Sequence, residues 1–194
     1  MKFNIFPNLL HLEFKQADYD NIKNNLTYGG FLEKRSGIDN GVHLGVDITI
    51  DPKTSVSVPC PCTVVDVYID TNKENGWVEN QPMHLNGWGG RIIFKLDDSY
   101  DECDYMIYGH LGSSLLVNKG DKVVPGDIVG HVAQLDESGT WFSHIHIQLI
   151  TKKFYLMFEN DLENIDGYCH DMDEDVSNLV SDPCSLIMMQ KLEK

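Results

Sequence analysis

Two stretches of strict alternation constrain this chain more than any other feature. In "GVHLGVDITI", residues 41 to 50, Val42, Leu44, Val46, Ile48 and Ile50 take every second position, with His43, Gly45, Asp47 and Thr49 between them. In "FSHIHIQLI", residues 142 to 150, Ile145, Ile147 and Leu149 alternate with His144, His146 and Gln148. A period of two sends successive side chains to opposite faces of a β-strand. Each stretch therefore offers one apolar face to a core and one polar face carrying ionisable groups, a pattern that a helix of period 3.6 does not share.

The polar faces carry the chemistry. A lone histidine on a strand is ordinarily neutral to structure, and the plain alternative for two histidines one residue apart is a solvent-facing strand edge. An H-x-x-x-D on one strand and an H-x-H on another is a rarer combination. One His, one Asp and a second His supply three N/O ligands, the set of a catalytic zinc site that keeps its fourth position for water. Such a site lowers the pKa of that water to about 7. In a straight strand the Cα atoms of His43 and Asp47 would lie about 13 Å apart, too far to share one ion. A common ion therefore requires a bend or bulge near Gly45.

The chain has 194 residues, the usual size of one domain and enough to bury a real core. Its net charge of -15 disfavours nucleic acid and anionic surfaces, which need an excess of Lys and Arg. A neutral or cationic partner fits better. The opening "MKFNIFPNLLHLEFK" breaks its apolar run with Asn, Pro, His and Glu, so no signal peptide is expected, and no stretch is long enough to span a bilayer. A cytoplasmic or phage- or virion-associated location is expected, without a membrane partner. The five cysteines are an odd, scattered set that suits buried thiols in a reducing compartment. "PCPC" is C-x-C, not the C-x-x-C of a zinc ribbon, and no second pair follows it.

Three segments are expected. Residues 1–38 lack clean periodicity and are assigned to an N-terminal extension packed on the core. Residues 39–150 hold short strands separated by the turns "DPKT", "NGWGG", "NKGDK", "PGD" and "DESG". Residues 151–194 form an acidic C-terminal extension covering the core, with a short terminal helix. In the middle segment "YMIYGHLGSSLLVNKGDKVVPGDIVGHV" places His110 after Gly109 at a strand end, where a rigid scaffold presents reactive groups.

Taken in order, H-x-x-x-D, Y-G-H-L, K-G-D-x-V-x-x-G-D and H-x-H resemble the M23 zinc metallopeptidases, the lysostaphin-type and LytM-type endopeptidases. The resemblance covers residues 37 to 150. It implies a mainly antiparallel all-β fold, a small β-sheet groove related to barrel-sandwich hybrids, with irregular N- and C-terminal extensions. It implies Zn2+ held by His43, Asp47 and His146, with His110 and His144 as catalytic imidazoles. It implies hydrolysis of peptide bonds, of the peptidoglycan cross-bridge type, with a peptide as substrate. There is no H-E-x-x-H, so the two spare histidines replace its glutamate. One takes the proton of the attacking water; the other stabilises the oxyanion and protonates the leaving amine.

The chain departs from the family's usual pattern. Neither an export signal nor a wall-binding domain is expected in it, it is strongly acidic, and "VPCPC" replaces a small-residue turn before the strand "TVVDVYI". The insertion "DTNKENGWVENQPMHLNGWGG" precedes the strand "RIIFKL", and its Trp77, Trp88 and His84 are expected to pin the loop rather than line the groove. The tail, "HIHIQLI" followed by a Gly-Tyr region and "SDPCSLI", resembles M23-like domains fused to aminotransferase-type enzymes. "DMDED" fails as a calcium loop, with Val176 where Gly and Asp182 where Glu are required. "DDSYDECD" is expected as a charged hairpin tip. His11, His131 and His170 join no pattern. Three alternatives to the wall endopeptidase are an amide hydrolase with a non-wall peptide or small-molecule substrate, a catalytically silent binding module, and a lipoyl- or biotinyl-type carrier. A silent module would be expected to lose ligands and this chain keeps all of them. A carrier needs a modifiable Lys at a hairpin tip that "HVAQLDESGTW" lacks.

Overall fold

The structure, a computed structural model, describes residues 30–35, 41–69, 88–134, 137, 143–170 and 174–189. Antiparallel strands are the main regular structure of these residues, and the paired strands do not close into a barrel. The main sheet is built on three strands predicted from alternation and turn signals. They are β5 (Cys62–Ile69), β6 (Gly90–Tyr100) and β7 (Cys103–Leu111). The hairpin joining β6 to β7 turns at Asp101 and Glu102, whose φ values of 47° and 62° give the paired left-handed geometry that matches strand twist. This is the charged tip expected at "DDSYDECD".

Strand β10 (His144–Thr151) organises the rest. One edge pairs with β7, setting His146 opposite Gly109. The other edge is shared by β3 (Val46–Thr49), which sets Asp47 opposite His146, and by β12 (Val180–Ser181). β8 (Lys122–Val123) closes the far side against β5. A separate pair joins β4 (Ser55–Ser57) to β9 (Ile128–His131). A three-stranded sheet joins β1 (Lys34–Arg35), β2 (Gly41–His43) and β11 (Tyr168–His170). The echoing "NKGD" and "VPGD" segments are equivalent turns. Gly120 and Gly126 take φ of 97° and 103°, as the third position of a type II turn demands. Each following aspartate, Asp121 or Asp127, accepts a hydrogen bond from the backbone N–H three residues earlier.

Period-two alternation buries the central strands on both faces. Phe94, Met106, Tyr108, Ile145, Ile147 and Leu149 meet in one cluster, and Ile93, Ile107, Ile150 and Phe154 in a second on the opposite face. Helix α1 (Lys152–Phe158) covers the second cluster; Thr151 caps it by accepting from the Phe154 N–H. A 3-10 turn at Leu162–Asn164 and helices α2 (Glu174–Ser177) and α3 (Cys184–Met189) follow, joined by irregular chain. α2 takes up the end of the acidic "DMDED". All five cysteines are free thiols. No helix among the described residues is long and apolar enough to cross a membrane. His11, Trp77 and His84 lie outside the described residues.

The segment read as one continuous strand from Val42 to Ile50 is interrupted. β2 ends at His43 and β3 begins at Val46, and the two belong to different sheets. Leu44 consequently packs beside Trp88 and Ile165 in the second cluster, while Val46 packs in the first. The break is the bend that a shared ion requires.

Candidate metal centre

The bend brings His43 and Asp47 together. His43 Nε2 lies 3.2 Å from Asp47 Oδ1, and His146 Nδ1 lies 2.9 Å from that same oxygen and 3.0 Å from His43 Nε2. Gly45 makes this closeness feasible. A Cβ at that position would stand 2.4 Å from the Ile147 carbonyl oxygen and 2.7 Å from His146 Nε2, so only glycine fits. The polar face is not a wet strand edge: His43, Asp47, His144 and His146 are 0%, 4%, 4% and 2% exposed.

Hydrogen bonds on the far side of each ring set its tautomer. His43 Nδ1 donates to the Gly30 carbonyl at 3.2 Å, leaving Nε2 as a lone pair facing the cluster. His146 Nε2 donates to Gln148 Oε1 at 3.2 Å, leaving Nδ1 as a lone pair. Two imidazole lone pairs and a carboxylate oxygen thus converge with no proton among them. That arrangement needs a proton or a cation at its centre. Tetrahedral zinc with bonds of about 2.0–2.2 Å sets its ligands about 3.3–3.6 Å apart, so the three donors, 2.9–3.2 Å apart, would have to part by a few tenths of an ångström to take up the ion. The donor set also suits zinc chemically, and the outer hydrogen bonds to Gly30 and Gln148 are those that orient ligating histidines. The three residues could hold such an ion.

Electrostatics agree with an anionic Asp47. Burial pushes its carboxyl up, but the close His146 and His43 rings, which would hydrogen-bond to the carboxylate and add positive charge whenever a proton sits where an ion would, outweigh burial and hold it well below the usual carboxylate range. His146 is lowered, chiefly by burial, against the opposing pull of Asp47.

The two remaining imidazoles stand beside this triad. His144 Nε2 is 3.9 Å from Asp47 Oδ1, and the His110 and His144 rings have centroids 4.2 Å apart. Burial first, then the neighbouring His144 and His146, push His110 well below the ordinary histidine range, so it is neutral at pH 7. Its Nδ1 is buried with no hydrogen-bond partner among the described residues. His110 also has φ of 58°, a left-handed conformation that costs a non-glycine residue about 1 kcal/mol or more. The backbone is held there by its N–H to the Trp88 carbonyl (2.7 Å) and its carbonyl to the Ala133 N–H (2.9 Å).

All five residues singled out by sequence are therefore brought to one place. The sequence pointed less well to Trp88. Expected to pin a loop, it is buried at the site itself: its indole covers Gly109, where a Cβ would stand 2.3 Å from the ring, and lies edge-on to His146 at 5.1 Å. Its N–H donates to the Ile165 carbonyl at 3.0 Å, which anchors it to the C-terminal segment. Gln148 was visible as the next polar position of the H-x-H strand. Its contact with His146 follows from the period of two. Tyr168 and Gly167, which also touch the site, stand out in the sequence only as a Gly-Tyr region of the tail, with no role at the site indicated.

A scan against protein-family models gives no match, and a search of curated proteins gives none either. Solved structures do match. The catalytic domain of the antimicrobial peptidase lysostaphin from Staphylococcus simulans aligns over 90% of this chain and 98% of its own, with 19% identity and a TM-score of 0.51. The longer lysostaphin from the same organism aligns over 86% of this chain with 18% identity and a TM-score of 0.52. A solution structure of lysostaphin aligns over the same share at 21% identity and a TM-score of 0.51. This chain spans about half of those two longer proteins, 51% and 52%. The antiparallel β architecture that the motifs implied is thus that of lysostaphin, and the chain has the M23-type fold.

Proposed function

We propose that this protein is a zinc-dependent peptidase, hydrolysing peptide bonds with His43, Asp47 and His146 as metal ligands and His110 and His144 as proton carriers. The observation that carries this reading is the convergence of two imidazole nitrogens and a carboxylate oxygen within 3.2 Å of one another, flanked by two further imidazoles 4.2 Å apart. The M23-type fold, shared with a peptidase, supports it. A bound zinc supplies Lewis acidity and a water whose pKa falls to about 7. His110, neutral at pH 7, can accept a proton. His144, against Asp47, can carry a proton and donate a hydrogen bond to a developing oxyanion. One of the pair takes the proton of the attacking water and the other delivers one to the leaving amine, a division of roles worth about 10²–10⁴-fold in rate.

The bond proposed is that of a peptidoglycan cross-bridge, and the partner a peptide. The test is a digest of cross-linked wall peptides and of a glycine-rich peptide library with metal-free and zinc-restored protein. Cleavage restored by zinc and lost in His110→Ala and His144→Ala is the expected result. Stoichiometric zinc with no cleavage of either substrate would sink the wall-peptidase reading, and full turnover by both variants would sink the mechanism.

A further inference from the structure

We propose that Gly167 and Tyr168, in the C-terminal extension beyond the stretch with the peptidase motifs, are positioning residues that hold His146 and His43 in the geometry of the metal centre. The inference rests on reading that centre as a metal site. Strand β11 sets Tyr168 directly opposite His43, and side chains opposite one another in an antiparallel pair share a face. Their rings accordingly lie 5.1 Å apart, tilted by 37°. Gly167 accepts the Leu44 N–H at 2.8 Å, tying β11 to the bend that separates His43 from Asp47. A Cβ on Gly167 would meet His146 Cε1 at 3.0 Å and Nε2 at 3.3 Å, so the bare backbone forms the wall against which the His146 ring rests.

Beside Gly167, whose Cβ would stand 3.4 Å from its ring, lies Trp88, edge-on to His146 and hydrogen-bonded to Ile165 in the same segment. Residues 165–168 therefore touch both imidazole ligands and the indole beside His146. The His146 ring cannot move toward this segment without meeting Gly167, nor the His43 ring without meeting Tyr168. A side chain on Gly167 would drive His146 toward Asp47 or away from Gln148. Removing the Tyr168 ring would open space beside the His43 ring, whose Nδ1 is held by the Gly30 carbonyl. Outer contacts of this kind typically change metal affinity 10–100-fold.

The test uses the full chain and its variants Gly167→Val, Gly167→Ala, Tyr168→Ala and Tyr168→Phe. Co2+ affinity is measured by chelator competition, with the visible spectrum of the Co2+ protein and the melting temperature of the metal-free protein. Gly167→Val and Tyr168→Ala are expected to weaken Co2+ binding about 10-fold or more and to alter the spectrum, while Tyr168→Phe, which keeps the ring, restores both. Wild-type affinity and spectrum in Gly167→Val and Tyr168→Ala, even with a lowered melting temperature, would overturn the proposal. If either fails to fold, Gly167→Ala decides by the same readouts. If the wild-type protein binds no Co2+, the metal-site reading fails, and the ring 15N signals of the metal-free protein decide separately. Signals of His43 and His146 that move in Tyr168→Ala while His131 stays fixed support positioning; unmoved signals refute it.

Discussion

Gly45→Ala is expected to damage the site and the fold together, because the added methyl has nowhere to go. Its Cβ would fall 2.4 Å from the Ile147 carbonyl oxygen and 2.7 Å from His146 Nε2, both below any real carbon contact. The first of these atoms is backbone in the middle of β10, paired on one side with β3 and on the other with β7. Relief therefore needs a movement approaching an ångström of one strand past another, through the His146 and Asp47 pair. Overpacking of this kind costs about 1–3 kcal/mol, which in a chain of this size lowers the melting temperature by about 2–4 °C per kcal/mol. Thermal unfolding of the metal-free variant is expected to show that loss. Zinc affinity by chelator competition is expected to fall at least about 10-fold, because the same movement separates the donors. A variant that melts with the wild type and binds zinc equally well would refute the reasoning that Gly45 is what brings His43 to Asp47.

Three further outcomes are expected. His110→Asn keeps a residue that tolerates the left-handed backbone, so its melting temperature should stay close to wild type while turnover falls about 10²-fold or more; unchanged turnover would remove His110 from the chemistry. His110 is held below its unfolded pKa of about 6.5, so between the folded and unfolded values the unfolded chain binds the extra proton. Its contribution to stability is therefore lost as pH falls below about 6.5. The metal-free wild type should lose stability from pH 7 to pH 5 more steeply than His110→Asn, and parallel denaturant midpoints across that range would contradict this. Cys60, half-buried beside Asp97 and Asp98, is raised from 9.0 to about 11 by burial first and those charges second. Alkylation of Cys60 at pH 8, followed by mass spectrometry, should run about 100-fold slower than for an unperturbed thiol, and a rate equal to that of a free thiol would show that the thiol is not raised.

How much was readable from the sequence depended on the range of the interactions. The faces of β10 followed from alternation alone, because a period of two leaves Ile145, Ile147 and Leu149 no other side than the core. The bend at Gly45 followed from distance: His43 and Asp47 could share an ion only if the strand broke. That Leu44 would change clusters at the break did not follow, since its new neighbours Trp88 and Ile165 are remote in sequence. β11 was equally hidden. Three residues of strand in "GYCH" carry no periodicity, and their place opposite β2 is set by tertiary pairing. The left-handed His110 gave no signal either, because the backbone groups that hold it belong to Trp88 and Ala133.

The most direct test of the account is anomalous X-ray scattering at the zinc absorption edge from crystals of the zinc-loaded full chain. A single strong peak is predicted about 2.0–2.2 Å from His43 Nε2, His146 Nδ1 and Asp47 Oδ1, with His110 and His144 outside bonding distance. A peak bound by His110 or His144 in place of one of those three, or no peak at the triad in zinc-saturated crystals, would contradict it.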